Sequence, residues 1–167
     1  MVLRFRGESH HKVDAKGRVS IPALFRRVLQ EGDPEWAEGR AAQMVLVYGD
    51  HRKKRLDCYT VAAFHEIEDE IMSLPRGSIE RTVLTRTMVG PSMTLEVDRD
   101  GRMVLPIKQR EKIGLEGEAF FTAAGDHFQI WNPGTFDAEE AARTAAYLDE
   151  QSEDFDPLIL LDRAKGQ

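Results

Sequence analysis

Two arginines stand at matched places in this chain, each four residues after an aspartate and directly after a glycine. Arg18 closes Asp14-Ala15-Lys16-Gly17-Arg18, and Arg102 closes Asp98-Arg99-Asp100-Gly101-Arg102. A guanidinium is a planar fork of N–H donors, suited to a phosphate or, bidentately, to O6 and N7 of guanine in a major groove. A carboxylate facing the same ligand would repel phosphate. Asp14 and Asp98 are therefore expected to be structural, each accepting backbone N–H bonds in an Asx turn and pairing with its arginine. Gly17 and Gly101 supply the turn conformation. Lys16, at the exposed tip of the first turn, is the best candidate for a phosphate contact, and Arg4, Arg6 and Lys12 extend the basic face.

Other chemistries find little support. His10 and His11 are adjacent, so on a strand they point to opposite faces and cannot share a metal ion. His51, His65 and His127 have no cysteine or histidine at ligand spacing. Cys58, the single cysteine, excludes an intrachain disulfide and is expected in the core. There is no Gly-rich phosphate loop or nucleophile elbow, and the carboxylates are unpatterned. No catalysis, metal or cofactor is expected.

The elements that position the two arginines are themselves repeated. Val13 to Pro22 and Val97 to Pro106 share Val, Asp, Gly, Arg and Pro at an offset of 84, which also places Arg26 on Arg110. Gly49-Asp50-His51 matches Gly125-Asp126-His127 at 76, and Tyr59 and Phe64 match Trp131 and Phe136 at 72. One supersecondary unit is thus used twice, with loop insertions near 30–42 and 52–55 in the first copy. Each copy reads strand, turn, strand, helix and strand pair. Val19 and Ile21 alternate with polar residues as on a half-buried strand, and Pro22 opens a helix to about Leu29. That helix is expected to turn Leu24 and Val28, with Phe25 beside them, inward and Arg26 and Arg27 outward. Hairpins are expected at Met44–Gly49 with Leu56–Tyr59 and at Ala119–Ala124 with His127–Trp131. Thr60 caps a helix with an apolar stripe at Phe64, Ile67, Ile71 and Leu74, stopped by Pro75. A short helix over 79–89 links the copies, and a helix begins at Asn132-Pro133. The tail from Asp149 is acidic before Pro157-Leu158-Ile159-Leu160-Leu161, the composition of a disordered or a docking segment.

Charge is unevenly placed along the 167 residues. The net value is −6. Residues 1–55 hold 12 Lys+Arg against 7 Asp+Glu, and residues 56–167 hold 11 against 22. A basic N-terminal third on an acidic body can still present a local anion-binding surface, since salt screens beyond about 10 Å. No apolar run nears the roughly 20 residues of a membrane span, and the opening residues lack the apolar stretch of a secretion signal. A cytoplasmic protein with no membrane partner is expected.

The two Asp-x-x-Gly-Arg phrases, each with a proline four residues on, closely resemble the MraZ family. Phe5-Arg6-Gly7-Glu8 before the first phrase, Gly114-Leu115 after the second, and Phe128-Gln129-Ile130-Trp131 extend the resemblance over roughly residues 4–147. It implies an α+β fold of tandem, pseudo-twofold AbrB-like swapped-hairpin β-barrel units with flanking helices. The expected division is 8–51 as the first SpoVT-AbrB-like DNA-binding domain, 52–90 as connecting strand and helices, 91–134 as the second domain, and 135–167 as C-terminal helix and acidic tail. Swapped hairpins need partner strands, which the internal repeat can supply within one chain. The resemblance further implies a nucleoid-associated regulator of transcription. It would bind double-stranded DNA at repeated promoter elements of the division and cell-wall gene cluster, as a ring-like homo-oligomer. The helix bearing Phe64, Ile67 and Ile71 is one candidate face for that assembly. The alternative is a protein-interaction module or an AbrB-type antitoxin with a protein partner. This chain departs from equal repeats where Arg99-Asp100 replaces Ala15-Lys16, so the first turn is expected to meet DNA and the second mainly to complete the fold.

Overall fold

The computed structural model describes residues 3–166; Met1 and Val2 of the basic opening and Gln167 of the acidic tail lie outside the described residues. The chain forms two compact units, Met1–Pro133 and Gly134–Gln167.

The first unit is a mixed α+β structure on antiparallel sheets. Its first copy supplies β1 (Glu8–Lys12), β2 (Arg18–Ser20), α1 (Ala23–Glu31), β3 (Ala42–Val47), β4 (Arg55–Thr60) and α2 (Val61–Met72). A linking helix follows, α3 (Ile79–Leu84), continued by a π-helical turn over Thr85–Val89. The second copy supplies β5 (Ser92–Val97), β6 (Arg102–Val104), α4 (Ile107–Lys112), β7 (Glu118–Ala123) and β8 (Phe128–Trp131). Both expected hairpins are present, β3 with β4 and β7 with β8. The remaining strand pairs all join one copy to the other. The six-stranded sheet runs β1-β7-β8-β4-β3-β5, and β2 pairs β6 in a separate two-stranded sheet. Exchanging the copies (β1 for β5, β2 for β6, β3 for β7, β4 for β8) reproduces the same order reversed. Neither copy closes its sheet without the other.

The core is shared in the same way. Phe25, Leu29, Met44, Leu46 and Leu56 of the first copy are buried with Met103, Leu105, Phe121, Phe128 and Ile130 of the second. Phe5, Phe25 and Phe128 meet edge-on or tilted at centroid distances of 4.8–5.4 Å, the separation aromatic pairs favour. Strand β3 explains its apolar run Met44-Val45-Leu46-Val47. Met44 and Leu46 face this cluster, while Val45 and Val47 face a second one with Tyr59 and Phe64. Both sides of the strand are covered, so alternation is absent.

Three expectations about helices need correction. In α1 the buried pair is Phe25 and Leu29, whereas Leu24 is 62% exposed. Leu24–Val28 and Phe25–Leu29 are equally spaced, and the pair with the larger ring goes inside. Arg26 is half-buried rather than outward. In α2, capped by Thr60 through an Ala63 N–H bond of 3.1 Å, Phe64 and Ile71 are already buried within the chain. Phe64 and Ile71 are therefore not left over for assembly, whereas Ile67 and Leu74 are half-buried.

The second unit holds the end of α5 (Pro133–Thr135), a π-helical stretch Phe136–Ala141, α6 (Ala142–Asp149) and α7 (Ile159–Ala164). Tyr147 and Phe155 pack edge-on at 6.4 Å within it. Leu158, Ile159 and Leu161 remain exposed.

Candidate nucleic-acid interface

The two phrases fold into one local design. Asp14 Oδ1 accepts the backbone N–H groups of Lys16 (3.0 Å) and Arg18 (2.9 Å), and Gly17 N–H returns to Asp14 O. Asp98 Oδ1 does the same for Asp100 and Arg102, both at 2.9 Å. Each carboxylate therefore organises its turn from within. The Arg18 backbone N–H, and after it the Arg18 guanidinium, hold the Asp14 carboxyl below the ordinary aspartate value. Gly17 and Gly101 take φ of 86° and 79°, a region L side chains rarely occupy.

The arginines differ in how they are held. Arg18 Nε donates to Asp14 Oδ2 at 2.6 Å, and among the described residues its terminal nitrogens have no partner. Both groups are about half exposed, so water screens the pair and a phosphate or a base edge can compete. Arg102 is shared more loosely by two carboxylates, Asp98 at 3.8 Å and Asp100 at 3.4 Å. More negative charge surrounds it.

The β2/β6 ribbon brings the two together. Arg18 lies opposite Val104, Val19 opposite Met103 and Ser20 opposite Arg102. Val19 and Met103 are buried while Arg18, Ser20, Arg102 and Val104 face solvent. Three-residue strands would not hold alone. Burial of Val19, Ile21, Met103 and Leu105 anchors them, at about 1.5–3 kcal/mol for each large side chain. Paired bonds from Ile21 N–H to Gly101 O and Leu105 N–H to Gly17 O, both 2.8 Å, tie each copy to the other's turn. Arg18 and Arg102 are thus diagonal neighbours on one exposed face. Both border an open hollow of about 370 Å³ with Thr94, Glu96 and Asp98.

The other basic candidates spread unevenly around this face. Lys16 is exposed at the first turn, and Lys12 is exposed at the end of edge strand β1 opposite Glu118. Arg6 is exposed before β1. Arg4 borders a different groove, with Glu66, Glu70 and Asp126. At the 84-residue offset Lys12 corresponds to Glu96 and Lys16 to Asp100. The two ends of the ribbon therefore share a backbone and differ in charge.

Sequence reasoning missed the role of two arginines. The Arg110 side chain packs against Gly17, with Nε donating to Leu105 O at 2.9 Å. The Arg26 side chain packs against Gly101, and its Nε is buried without a hydrogen-bond partner. Each helix thus braces the other copy's turn. The coincidence of Arg26 and Arg110 at the repeat offset was the available signal.

The run 52–55 is mostly engaged within the chain. Arg52 pairs with Asp50 at 2.9 Å and Arg55 with Asp57 at 3.0 Å. Lys112 Nζ donates to Lys53 O at 2.6 Å, and burial lowers its pKa. Cys58 is fully buried, which raises its thiol pKa. Among the described residues no group of three or more His, Cys, Asp or Glu is placed to hold a metal ion. Among them, too, no helix is long and apolar enough to cross a membrane.

Comparison with known proteins agrees with the duplication. A family model described as "MraZ protein, putative antitoxin-like" matches twice, over residues 4–87 and 88–156. A protein of Ruegeria pomeroyi named transcriptional regulator MraZ is 60% identical over 166 residues, covering 99% of both chains. Its namesake in Ruegeria sp. (strain TM1040) is 56% identical with the same coverage. One from Cereibacter sphaeroides (strain ATCC 17029 / ATH 2.4.9) is 47% identical over 155 residues, 89% of this chain and 91% of its own. With two copies of the family's unit and relatives matching it nearly end to end, this chain belongs to the MraZ family.

Proposed function

We propose that this chain is a DNA-binding regulator of transcription that places the β2/β6 ribbon against the major groove. The observation that carries the proposal is the presence of Arg18 and Arg102 on the solvent face of one two-stranded antiparallel ribbon. Such a ribbon fits the major groove, and its arginines can then reach base edges or flanking phosphates. Arg18 leads, because its terminal nitrogens have no partner among the described residues and Lys16 and Lys12 stand nearby in sequence. Arg102 contributes less, since it sits between Asp98 and Asp100. Lys16, Lys12 and Arg6 are phosphate contacts. Arg4 is the weakest candidate because it borders the groove of α2. The cross-copy strand pairing supports an AbrB-like swapped-hairpin architecture, with 8–51 and 91–134 as its two domains.

By the same resemblance, the DNA targets are repeated promoter elements of the division and cell-wall gene cluster. The protein binds them in the nucleoid as a ring-like homo-oligomer. Repeated weak contacts add strongly in such an arrangement, because later ones are effectively intramolecular. The relatives' name, transcriptional regulator, supports the reading. Electrophoretic shifts on duplexes with tandem repeats test it. The expected result is a complex that weakens steeply with salt and is lost for Arg18→Ala. Equal binding by Arg18→Ala and the parent would refute the role of the ribbon.

A further inference from the structure

Of Arg18, Ser20, Arg102 and Val104, which form the exposed face of the β2/β6 ribbon, only Val104 is apolar. It is 52% exposed, while Val19, Ile21, Met103 and Leu105 beside it are buried. Strand propensity accounts for a β-branched residue at this place, but threonine would meet it as well and leave less apolar surface in water. Val104 lies directly opposite Arg18, and Ser20 directly opposite Arg102. At the repeat offset of 84, Val104 corresponds to Ser20. The two arginines therefore have unlike neighbours, an apolar group beside Arg18 and a hydroxyl beside Arg102. Leu95 and Thr94 join Val104 in the wall of the hollow that Arg18 borders, so the valine belongs to a small apolar patch at that arginine.

Base edges in the major groove present donors and acceptors, with one apolar feature, the C5 methyl of thymine. A valine bonds to none of the polar groups. Set against the amino group of cytosine or adenine, it strips away water and leaves that group unpaired. Set against a thymine methyl, it removes apolar surface from water on both sides. Directly opposed residues of an antiparallel pair have Cβ atoms about 4.5–5.5 Å apart. Successive base pairs are about 3.4 Å apart. Arg18 and Val104 therefore address base pairs no more than two steps from each other.

We propose that Val104 selects a thymine, by packing on its methyl group, within two base pairs of the guanine that Arg18 bonds. The inference rests on the reading above that the ribbon enters the major groove, and adds a second base to it. Ser20, at the matched place, can donate or accept and so selects no single base. The ribbon reads a methyl group at one end only.

Deoxyuridine tests this, because it lacks only the methyl group of thymidine and pairs in the same way. The full chain first selects a duplex from a random pool. Each thymine of that duplex is then replaced in turn by deoxyuridine, and each guanine by 7-deazaguanine, which lacks the N7 acceptor. At least one thymine is expected to lose about fourfold in affinity on replacement, the effect of one buried methyl-sized group. It should lie within two base pairs of a guanine whose 7-deaza form also binds weakly. Val104→Ser should bind the duplexes with and without that methyl equally, and Val104→Ile should keep the difference. A parent indifferent to every deoxyuridine would overturn the proposal, as would a sensitive thymine more than two base pairs from any sensitive guanine. So would a Val104→Ser chain that keeps the full difference, or one that is folded by circular dichroism yet binds no duplex, since one methyl contact cannot carry the whole complex. The parent's own scan needs no variant and decides the matter even if Val104→Ser fails to fold. A parent that selects no duplex refutes the DNA reading and this one with it. A parent sensitive to 7-deazaguanine but not to deoxyuridine leaves the DNA reading standing and removes Val104 from it.

Discussion

Alanine at Gly17 and alanine at Gly101 add the same methyl group to nearly the same backbone conformation, yet the structure predicts different outcomes. With φ of 86° and 79°, each substitution carries a left-handed penalty of about 1–2 kcal/mol. What the new Cβ meets then decides. At Gly101 it overlaps the guanidinium of Arg26, the far end of a long side chain whose Nε has no hydrogen bond to lose. Shifting that side chain costs about 0.5–1.5 kcal/mol. At Gly17 it overlaps the carbonyl oxygen of Leu105, which is backbone. That oxygen accepts Arg110 Nε at 2.9 Å, and the Leu105 N–H donates to Gly17 O at 2.8 Å. Moving it disturbs two bonds, each costing about 1–3 kcal/mol if left unmade.

The expected destabilisation is about 1.5–3.5 kcal/mol for Gly101→Ala and about 3–8 kcal/mol for Gly17→Ala. For a chain of this size that is about 3–14 °C and 6–32 °C in Tm. Urea unfolding followed by circular dichroism measures both, with the difference between the variants as the quantity of interest. Gly101→Ala equal to or worse than Gly17→Ala would refute the argument, because Arg26 would then be as immovable as the backbone.

Four further outcomes follow from named contacts. If Lys16 contacts one phosphate, Lys16→Ala should weaken DNA binding on all sequences alike and flatten the log–log salt slope by about 1, read from shifts at several salt concentrations. Phe121→Ala removes a fully buried ring and should cost about 3–5 kcal/mol by urea titration, leaving a cavity between the copies. Thr60→Ala deletes the cap of α2 and should cost about 1 kcal/mol, visible as a small drop in Tm. The Asp14 carboxyl titrates below its ordinary 3.8 in the folded chain, so its stabilising effect is complete above that value and is lost as pH falls through the folded pKa. Unfolding midpoints at pH 5 and pH 3 should therefore differ more for the parent than for Asp14→Asn, and equal differences would contradict it.

The local parts of this molecule were legible because short-range chemistry decides them. Asp, Gly and Arg at fixed spacing specify the turns, and Thr60 and Pro75 bracket α2. The two hairpins follow from apolar runs separated by Gly-Asp-His. Less legible was anything settled between distant residues. An offset of 84 shows that β2 and β6 are equivalent but not that they pair, since equivalence under a repeat says nothing about contact. The phase of α1 failed for a related reason: two i,i+4 apolar pairs compete, and only the shape of the core selects Phe25 and Leu29. Arg26 looked like surface charge because its neighbour, Gly101, is 75 residues away in sequence.

Interleaving also bears on why the copies could diverge where they did. Positions that carry the cross-copy bonds have little freedom: Gly17 and Gly101 each sit under the other half's backbone or helix. The exposed positions in and beside the same turns lack that constraint, and there Lys12 corresponds to Glu96 and Lys16 to Asp100 at the repeat offset. A symmetric pair of separate chains could not make this change, because one substitution would alter both ends of the ribbon at once. Joined in one chain, the second end can become acidic while the first stays basic. The ribbon then has a direction along which an anionic ligand is attracted at Lys16 and Arg18 and repelled beside Asp98 and Asp100. Asp100→Lys should accordingly raise affinity for DNA of any sequence, and an unchanged or lower affinity would mean that the second turn lies outside the electrostatic reach of the bound duplex.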